Sequence, residues 1–312
     1  MLRYILIRLA MALPTLLGMS FVAFVIVALA PGDPVLMELR ALGIVPEPKD
    51  VAALQAEFGL DKPLLQRYIE WLWRALRLEF GTSVATGRPV MTEIALHLPA
   101  TLALAISALF GAVLISLTLG VLAATSSKAA GVGLRGITIV FVSAPSFWLA
   151  LVLIYVFVLR LGWARLVGDG SLADLVLPAI TLSLAAGAAL GRMVFERIRA
   201  ETSEDYVRLA IAKGVHPVRI LLGHIAPRVI GPLATAWANA FGGLLGGAVI
   251  VESIFGWPGL GQLILQAIAQ RDFPVIQAYL MFMGLIFFAT SLLADLAVIL
   301  SDPQLRRRLS DG

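Results

Sequence analysis

The chain has 312 residues, of which 60% are hydrophobic and only 14% are charged, and its mean hydropathy is +0.93. A soluble domain is nearer half apolar and a quarter charged, so the composition excludes a soluble protein and indicates a helical membrane protein. The net charge of +4 gives no reason to expect nucleic-acid binding, and the absence of cysteine from the sequence excludes disulfides and thiolate metal sites.

Six stretches are long and apolar enough to cross a bilayer as helices of roughly 20 residues. They occupy residues 9–30, 98–124, 136–159, 175–191, 229–251 and 275–300. The first ends in Ala-Leu-Ala, as a signal peptide does, but it exceeds the usual apolar region of about 7–15 residues, and Pro31 follows the cleavage position. We therefore predict an uncleaved first span and an all-α polytopic membrane protein with six transmembrane helices.

Lys and Arg are concentrated in the segments that would be cytoplasmic if the N-terminus were inside, notably between residues 192 and 228 and at 306–308. Positive residues near the ends of spans favour the cytoplasmic side, so both termini are predicted to be cytoplasmic. The predicted segments are an N-terminal segment with the first span (1–30), an extracytoplasmic loop (31–97), a five-helix core (98–300) with a cytoplasmic loop (200–228) and an outer loop (252–274), and a basic cytoplasmic tail (301–312).

The long loop opens with a turn, Pro-Gly-Asp-Pro at 31–34, and then contains an amphipathic pattern over 63–78. Leu65, Ile69 and Leu76 recur at helical spacing with further apolar residues between them. Trp71 and Trp73 suit the membrane interface. The alternative is a small external domain that buries the same aromatic residues in its own core.

Several of the predicted spans contain proline or glycine residues. Pro145, Pro178 and Pro232 each remove a backbone hydrogen bond and are expected to bend their helices, either to line a pathway or as ordinary packing kinks. Pairs of glycines four residues apart allow two helices to approach closely, within one subunit, at a pore or between subunits. These are Gly242 with Gly246, and Gly243 with Gly247.

The stretch after the fifth span, "ESIFGWPGLGQ", is rich in Gly and Pro yet apolar. Irregular backbone near a membrane requires protein or a water-filled cavity to satisfy it, so we predict a re-entrant or lid-like outer loop. Glu252, at its start, is expected either to contact substrate or a partner protein or to pair with Arg271. The predicted gate residues are Phe255, Trp257, Pro258, Gly259 and Gly261.

Residues 203–217, "SEDYVRLAIAKGVHP", predict a short polar helix on the cytoplasmic side. Thr202 or Ser203 can cap its start, Gly214 can close it and Pro217 prevents its continuation. A helix of about ten residues cannot span a bilayer, so it must lie against lipid headgroups or a soluble protein. Its acids and small residues differ from the bulky apolar row of a lipid-bound helix, which favours docking to a protein.

This stretch resembles the cytoplasmic EAA loop of permeases in ATP-binding-cassette importers. Gly214, Ala210 and Pro227 match the spacing of the loop, and Arg208 fits the form "YVRLAIAKG" found in the dipeptide and oligopeptide branch. Other segments resemble the B-type permease of that branch in the same order along the chain. They are "MLRYILIRL", "APGDP", "FGLDKPLLQRY", "GGAVIVESIFGWPGLGQL", "RDFP" and the final "DP" before an arginine cluster.

The resemblance implies a type I importer permease of the bacterial inner membrane. Such a subunit would import peptides, with nickel chelates, glutathione or sugars as alternative substrates. It would form the pathway as a heterodimer with a second homologous permease. Two cytoplasmic ATPases would dock on the pair, and an extracytoplasmic binding protein would deliver the substrate. No cofactor is expected in this chain, and ATP and Mg²⁺ are expected in the partners. The implied docking residues are Tyr206, Arg208, Ala210, Ala212, Lys213 and Gly214.

Other functional classes fit the residues less well. The chain lacks GxxxxGK[ST], so it has no phosphate-binding loop of that kind. It also lacks the GxSG setting of an intramembrane serine protease, and His97, His216 and His224 all lie near span ends, so neither a catalytic histidine nor a metal site is predicted. For an ion-coupled carrier the candidate is Asp295, which we expect to pair with an arginine or a neighbouring helix.

Overall fold

The computed structural model describes residues 2–29, 62–165 and 171–301 of the chain. The predicted turn at 31–34 and the basic tail from 302 onward lie outside these residues. Within them the secondary structure is helical apart from short connections and one isolated bridge between Thr82 and Pro89. The all-α prediction is therefore confirmed for the part of the chain that the structure describes.

Eleven α-helices and two π-helical segments follow one another in the described residues. The helices are α1 (Leu2–Leu29), α2 (Leu64–Leu76), α3 (Val90–Thr125), α4 (Lys128–Ser143), α5 (Ser146–Leu153), α6 (Leu172–Thr202), α7 (Asp205–Ala212), α8 (Pro217–Ile220), α9 (Ala226–Phe255), α10 (Leu260–Gln270) and α11 (Phe273–Ser301). The π-helical segments Ile154–Arg160 and Leu221–Ile225 follow α5 and α8.

Each of the six predicted spans corresponds to helix. Five helices are long and apolar enough to cross a membrane, and α4 with α5 and its π-helical extension makes the sixth if the bent pair counts as one span. The pair bends by 103° at its break. Pro145 lies at this break, where Ala144 is extended, because the residue before a proline is driven out of the helical region. Pro178 and Pro232, in contrast, lie inside uninterrupted helices.

Contacts divide the chain into two compact units. The first comprises residues 100–261 and 289–301 of the described chain, and the second comprises residues 2–29, 62–99 and 262–288. The first unit has two apolar clusters: one lies where α5, α6 and α9 meet the first half of α3, and the other surrounds α7. The second unit has an aromatic cluster between α1 and α2.

Small residues bring α3 and α6 into close contact within the first unit. A Cβ atom added at Gly120 would lie 2.5 Å from Val194 Cβ, and one added at Gly187 would lie 2.7 Å from Ile115 Cβ. Gly187 and Gly191 stand four apart in α6, which is the spacing that lets helices approach. This pair carries the same sequence signal as the glycines of the fifth span, but it was not singled out in the sequence.

Replacing Gly120 with Ala should destabilise the protein, because the added methyl group overlaps Val194 and overpacking costs about 1–3 kcal/mol. The measurement is the midpoint of detergent-induced unfolding of the purified protein. Gly133→Ala is the matched control, since Gly133 lies in α4 with no neighbouring atom within 4 Å of an added Cβ. Equal midpoints for the two variants would contradict a tight α3–α6 contact.

Candidate functional site at the two ends of one helix

One continuous helix, from Pro217 to Phe255, connects the two predicted sites. It consists of α8, the π-helical segment and α9, and its 39 residues correspond to about 58 Å at 1.5 Å per residue. The polar helix α7 precedes it and a short apolar turn, residues 256–259, follows it. Both candidate sites are therefore attached to the same rigid element, one at each end.

The end of α7 has the geometry of a Schellman motif. Gly214 has a φ of +72°, a conformation that glycine adopts without the steric penalty of a Cβ. The Gly214 N–H donates to Ile211 O (2.9 Å) and the Val215 N–H donates to Ala210 O (3.1 Å), which satisfies two carbonyls at the helix end. The prediction that Gly214 closes the helix is confirmed, and Pro217 starts the next helix three residues later.

The predicted N-terminal cap is wrong. Thr202 and Ser203 end α6, and their hydroxyls donate to Ile198 O and Ala200 O of that helix. Glu204 occupies the N-cap position of α7 and its side chain makes no capping hydrogen bond. The two hydroxyls bond to carbonyls of α6 because this helix extends about three turns beyond the predicted span. It ends at Thr202, shortly before α7 begins at Asp205.

The inner face of α7 is packed against α6, α8 and α9. Val207 is completely buried and Ala210 nearly so. Both belong to an apolar cluster whose other buried members are Val194, Ile198, Ile220, Ile225, Val229 and Leu233. Ala210 therefore packs within this chain, where a larger side chain would push α7 away from the spans, and its contact with a partner stays a prediction.

Tyr206 ties α7 to both neighbouring helices. Its hydroxyl donates to the Glu201 carboxylate of α6 (2.5 Å), and the guanidinium of Arg228, in α9, lies 4.3 Å from the ring centroid. Burial, followed by the hydrogen bond to Glu201, raises the pKa of Tyr206 to about 12. The hydroxyl thus remains protonated and able to donate near neutral pH.

The outer face of α7 presents the other predicted docking residues. Arg208, Ala212, Lys213 and Gly214 are exposed. Leu209 and Ile211 are also exposed, by 56% and 57%, and lie among them. Neither residue is among the predicted docking residues; the signal that could have identified them is the presence of bulky apolar side chains in a segment too polar to enter the bilayer. Exposed apolar side chains beside charged ones are typical of a protein-docking surface.

At the opposite end, the apolar turn is anchored to α3. The Trp257 indole N–H donates to Ala100 O (2.9 Å), and the Leu260 N–H donates to Thr101 Oγ1 (2.7 Å). Phe255 and Trp257 are both buried in the apolar cluster of this region, whereas Pro258 is exposed. Within the predicted outer loop, α10 begins at Leu260, so irregular backbone is confined to residues 256–259 and to the two residues between α10 and α11.

A buried carboxylate organises this turn. Glu252 is fully buried, and its Oε2 accepts the Gly261 N–H at 2.6 Å. The backbone of Gly259 approaches so closely that a Cβ there would overlap the carboxylate, and a Cβ at Gly261 would overlap the Val249 backbone. A buried carboxylate requires hydrogen-bond donors, and the Gly261 N–H supplies one to Oε2. The gate role of these residues stays a prediction; their packing around Glu252 was not expected from the sequence.

The glycines singled out in the fifth span differ in their surroundings. Gly243 and Gly246 are exposed, with no atom within 4 Å of an added Cβ, whereas a Cβ at Gly247 would lie 3.2 Å from Leu182 of α6. Gly242 is half-buried. A role for these residues in the pathway or at a subunit contact stays a prediction.

No group of three His, Asp or Glu side chains within residues 2–29, 62–165 and 171–301 is arranged to hold a metal ion. Asp295 lies half-buried in α11. The candidate sites in the described chain are the α7 surface and the Glu252-centred turn, whose geometry suits protein docking and mechanical coupling.

These features define a polytopic membrane subunit, and comparison with known proteins identifies its family. Residues 116–307 match the family described as "Binding-protein-dependent transport system inner membrane component". Residues 1–105 match the N-terminal family of the same kind of transport component. The chain belongs to this family: it is a multi-pass inner membrane permease of a binding-protein-dependent ATP-binding-cassette importer.

Similar proteins extend over nearly the whole chain. A Brucella abortus (strain 2308) protein named as a peptide transport system permease protein is 34% identical over 311 residues, covering 97% of this chain and 98% of its own length. The glutathione transport system permease protein GsiC of Salmonella choleraesuis is 35% identical over 308 residues, covering 98% and 99%. The resemblance to the peptide branch of these importers is confirmed.

Solved structures share the fold. The inward-facing MetNI methionine ABC transporter matches with a TM-score of 0.60 at 20% identity, covering 68% of this chain and 97% of that chain. An amino acid ABC transporter with histidines matches with a TM-score of 0.53 at 22% identity, covering 67% and 94%. Importers of this family work with an ATPase and a substrate-binding protein.

Replacing Gly259 with Ala should displace the Glu252 carboxylate, because no space exists between them for a methyl group. We expect a loss of about 1–3 kcal/mol of stability, measured as a lower midpoint of unfolding in detergent, together with reduced uptake in cells. Gly133→Ala, in α4, is the control, since an added Cβ there meets nothing and no site is predicted at this residue. A Gly259→Ala protein as stable and active as the control would contradict the proposed packing of the turn.

Proposed function

We propose that this chain imports peptides, forming the translocation pathway as a heterodimer with a second homologous permease and docking through α7 on one of two cytoplasmic ATPases. The observation that carries the proposal is the two-sided packing of α7, which is buried on one side in its own chain and exposes Leu209, Ile211 and Lys213 on the other. Peptide is the favoured substrate because relatives that cover the whole chain are named for peptide and glutathione transport. Glutathione is itself a tripeptide, so both names indicate the same class of molecule.

The geometry of α7 supports mechanical coupling. The buried Val207 and Ala210 and the bonded Tyr206 connect it to α6 and α9. When ATP binding in the partner moves the docked helix, the clustered side chains require α9 to move as well, since a close-packed interface does not deform continuously. ATP thereby favours one orientation of the spans, and delivered substrate favours the other.

ATP and Mg²⁺ belong to the partner subunits in this proposal. The chain has no GxxxxGK[ST] sequence, whose backbone amides and lysine would be needed to bind the phosphates. No cofactor is assigned to this chain.

The Glu252-centred turn is proposed to lie at the outer mouth of the pathway, facing the binding protein. Trp257 and Leu260 attach it to α3 at Ala100 and Thr101, so a movement of α9 strains or releases these bonds. The turn would act as an outer gate whose residues Phe255, Trp257, Pro258, Gly259 and Gly261 move with the end of α9.

In this proposal, α7 and both termini lie in the cytoplasm. Because the chain has no native cysteine, a single cysteine at Lys213 or at Glu79 reports the side of each segment directly. A membrane-impermeant maleimide should label Glu79→Cys in intact spheroplasts and Lys213→Cys only after the membrane is opened. The reverse pattern would invert the proposed topology.

Purification of the tagged chain from its native membranes in mild detergent tests the assembly. We expect a homologous permease and ATPase chains to be recovered with it, identified by mass spectrometry against a mock purification. Binding protein added to or recovered with the complex can then be analysed for bound peptides and competed with glutathione. If ATPases are recovered but the binding protein holds a non-peptide ligand, the proposed substrate is contradicted and the importer assignment is supported.

Introducing a charge on the exposed face of α7 should weaken this association. Ile211→Arg and Ala212→Arg are expected to reduce the recovered ATPase several-fold, because a desolvated cation without a partner is costly at an interface, while the permease remains inserted. Ala129→Arg, an identical change at an exposed position near the start of α4, is the control. Wild-type recovery with both α7 variants would refute docking through this surface.

A further inference from the structure

Helix α2 has three distinct faces, only one of which packs within the chain. Tyr68, Trp71 and Ala75 are buried. The Tyr68 hydroxyl shares a 2.7 Å hydrogen bond with Ser20 Oγ and donates to Leu17 O at 3.2 Å. This face therefore attaches α2 directly to α1 within the second compact unit.

Aromatic contacts complete the attachment. The ring centroids of Phe21 and Tyr68 are 5.1 Å apart in an edge-to-face arrangement, and those of Phe24 and Trp71 are 5.6 Å apart. Pairs of this geometry add about 0.5–1.5 kcal/mol each beyond their buried area. The two tryptophans of α2 thus have different surroundings, since Trp71 is buried here and Trp73 is 60% exposed.

The position of these contacts along α1 shows which part of the candidate span α2 lies beside. Residues 17–24 lie in the apolar stretch Ala10–Leu29, which is long and apolar enough to span a membrane. Ser20 is about 13 Å from Leu29 along the helix axis at 1.5 Å per residue. Because the Tyr68 hydroxyl bonds to α1 within this stretch, α2 lies alongside the candidate span and not beyond its end.

The second face of α2 is an exposed apolar stripe. Leu65, Ile69, Trp73 and Leu76 are each between 59% and 65% exposed. Their spacing of three and four residues places them along one side of the helix. The stripe lies beside the buried face of α2, and no side chain of it belongs to the aromatic cluster with α1.

The third face is polar and mostly basic. It carries Gln66, Arg67, Glu70, Arg74 and Arg77. Lys62 Nζ lies 2.8 Å from the Glu70 carboxylate, and the hydrogen bond from Lys62 lowers the pKa of Glu70. With that acid paired, the surplus positive charge of the face suits the phosphates of lipid headgroups.

We propose that α2 is an interfacial membrane helix, with its apolar stripe in the headgroup and acyl boundary of the leaflet that receives the C-terminal end of α1, and its arginines at the lipid phosphates. An amphipathic helix with tryptophan buries its apolar face about 5–10 Å into the boundary. Arg77, whose guanidinium lies 5.0 Å over the Trp73 ring, extends from the stripe toward the headgroups, as long cationic side chains do. Lipid is the occupant because α2 is attached to a helix long and apolar enough to span a membrane, and because the basic face beside the stripe complements anionic headgroups.

Single spin labels test the proposal in the full-length protein, since the chain has no native cysteine. Ile69→Cys lies on the stripe and Glu70→Cys, the next residue, lies on the polar face, so this pair is matched in position along the helix. In nanodiscs of phosphatidylethanolamine and phosphatidylglycerol, the ratio of oxygen to nickel–EDDA accessibility should be several-fold higher at position 69. Trp73→Cys with Arg74→Cys repeats the comparison in case one labelled protein does not fold.

Equal access of nickel–EDDA to both members of a pair would mean that the stripe faces water, which overturns the proposal. Shielding of the stripe position from both reagents would mean that a protein covers it, which also overturns it. The labels report on this helix alone, so the outcome is independent of the substrate and partners proposed for the transporter.

Discussion

The organisation of this permease depends on the continuity of one helix. From Pro217 to Phe255 the chain is helical throughout, with a change from α- to π-helical spacing at Leu221–Ile225 and backbone donors missing at Pro227 and Pro232. Helices are stiff along their axis because each residue is bonded to the next turn, so the two non-spanning segments at its ends, α7 and the turn at 256–259, are mechanically related. π-helical segments are often found at functional sites, and this one lies next to the cluster that holds α7.

Each compact unit uses one buried carboxylate to hold a loop in place. In the first unit Glu252 accepts the Gly261 N–H. In the second unit Asp272 accepts the Ser83 hydroxyl at 2.5 Å and the Ala85 N–H at 3.2 Å. In surroundings of low polarity an unsatisfied backbone N–H costs free energy. A carboxylate has two oxygens that can accept hydrogen bonds from the N–H groups of irregular segments. Both acids are almost inaccessible to solvent, which favours a structural role.

The polar helix α7 shows how one short segment meets two requirements. Its small residues let it pack closely on the spans, as Ala210 does, and its larger apolar residues remain outside. The contacts of α7 with its own chain are as important as the outward docking residues, because the inward contacts would transmit force to the spans. The hydrogen bond from Tyr206 to Glu201 and the stacking of Arg228 make that attachment polar as well as apolar.

The number of the spans, the closing of α7 at Gly214 and the family were evident in the sequence, because hydropathy, glycine geometry and motif order are local properties of the chain; the spans' limits were not, since α6 continues to Thr202. The N-terminal cap of α7, the burial of Ala210 and the division of Trp71 and Trp73 between a protein contact and an exposed face were not evident either. Those features depend on which helix lies beside the segment, and no spacing along α2 or α7 encodes the position of Phe24 or Val229. Likewise Gly187 and Gly243 each belong to a pair of glycines four residues apart. Only the packing of α3 on α6 distinguishes them, because an added Cβ would overlap Ile115 at Gly187 and would meet nothing at Gly243.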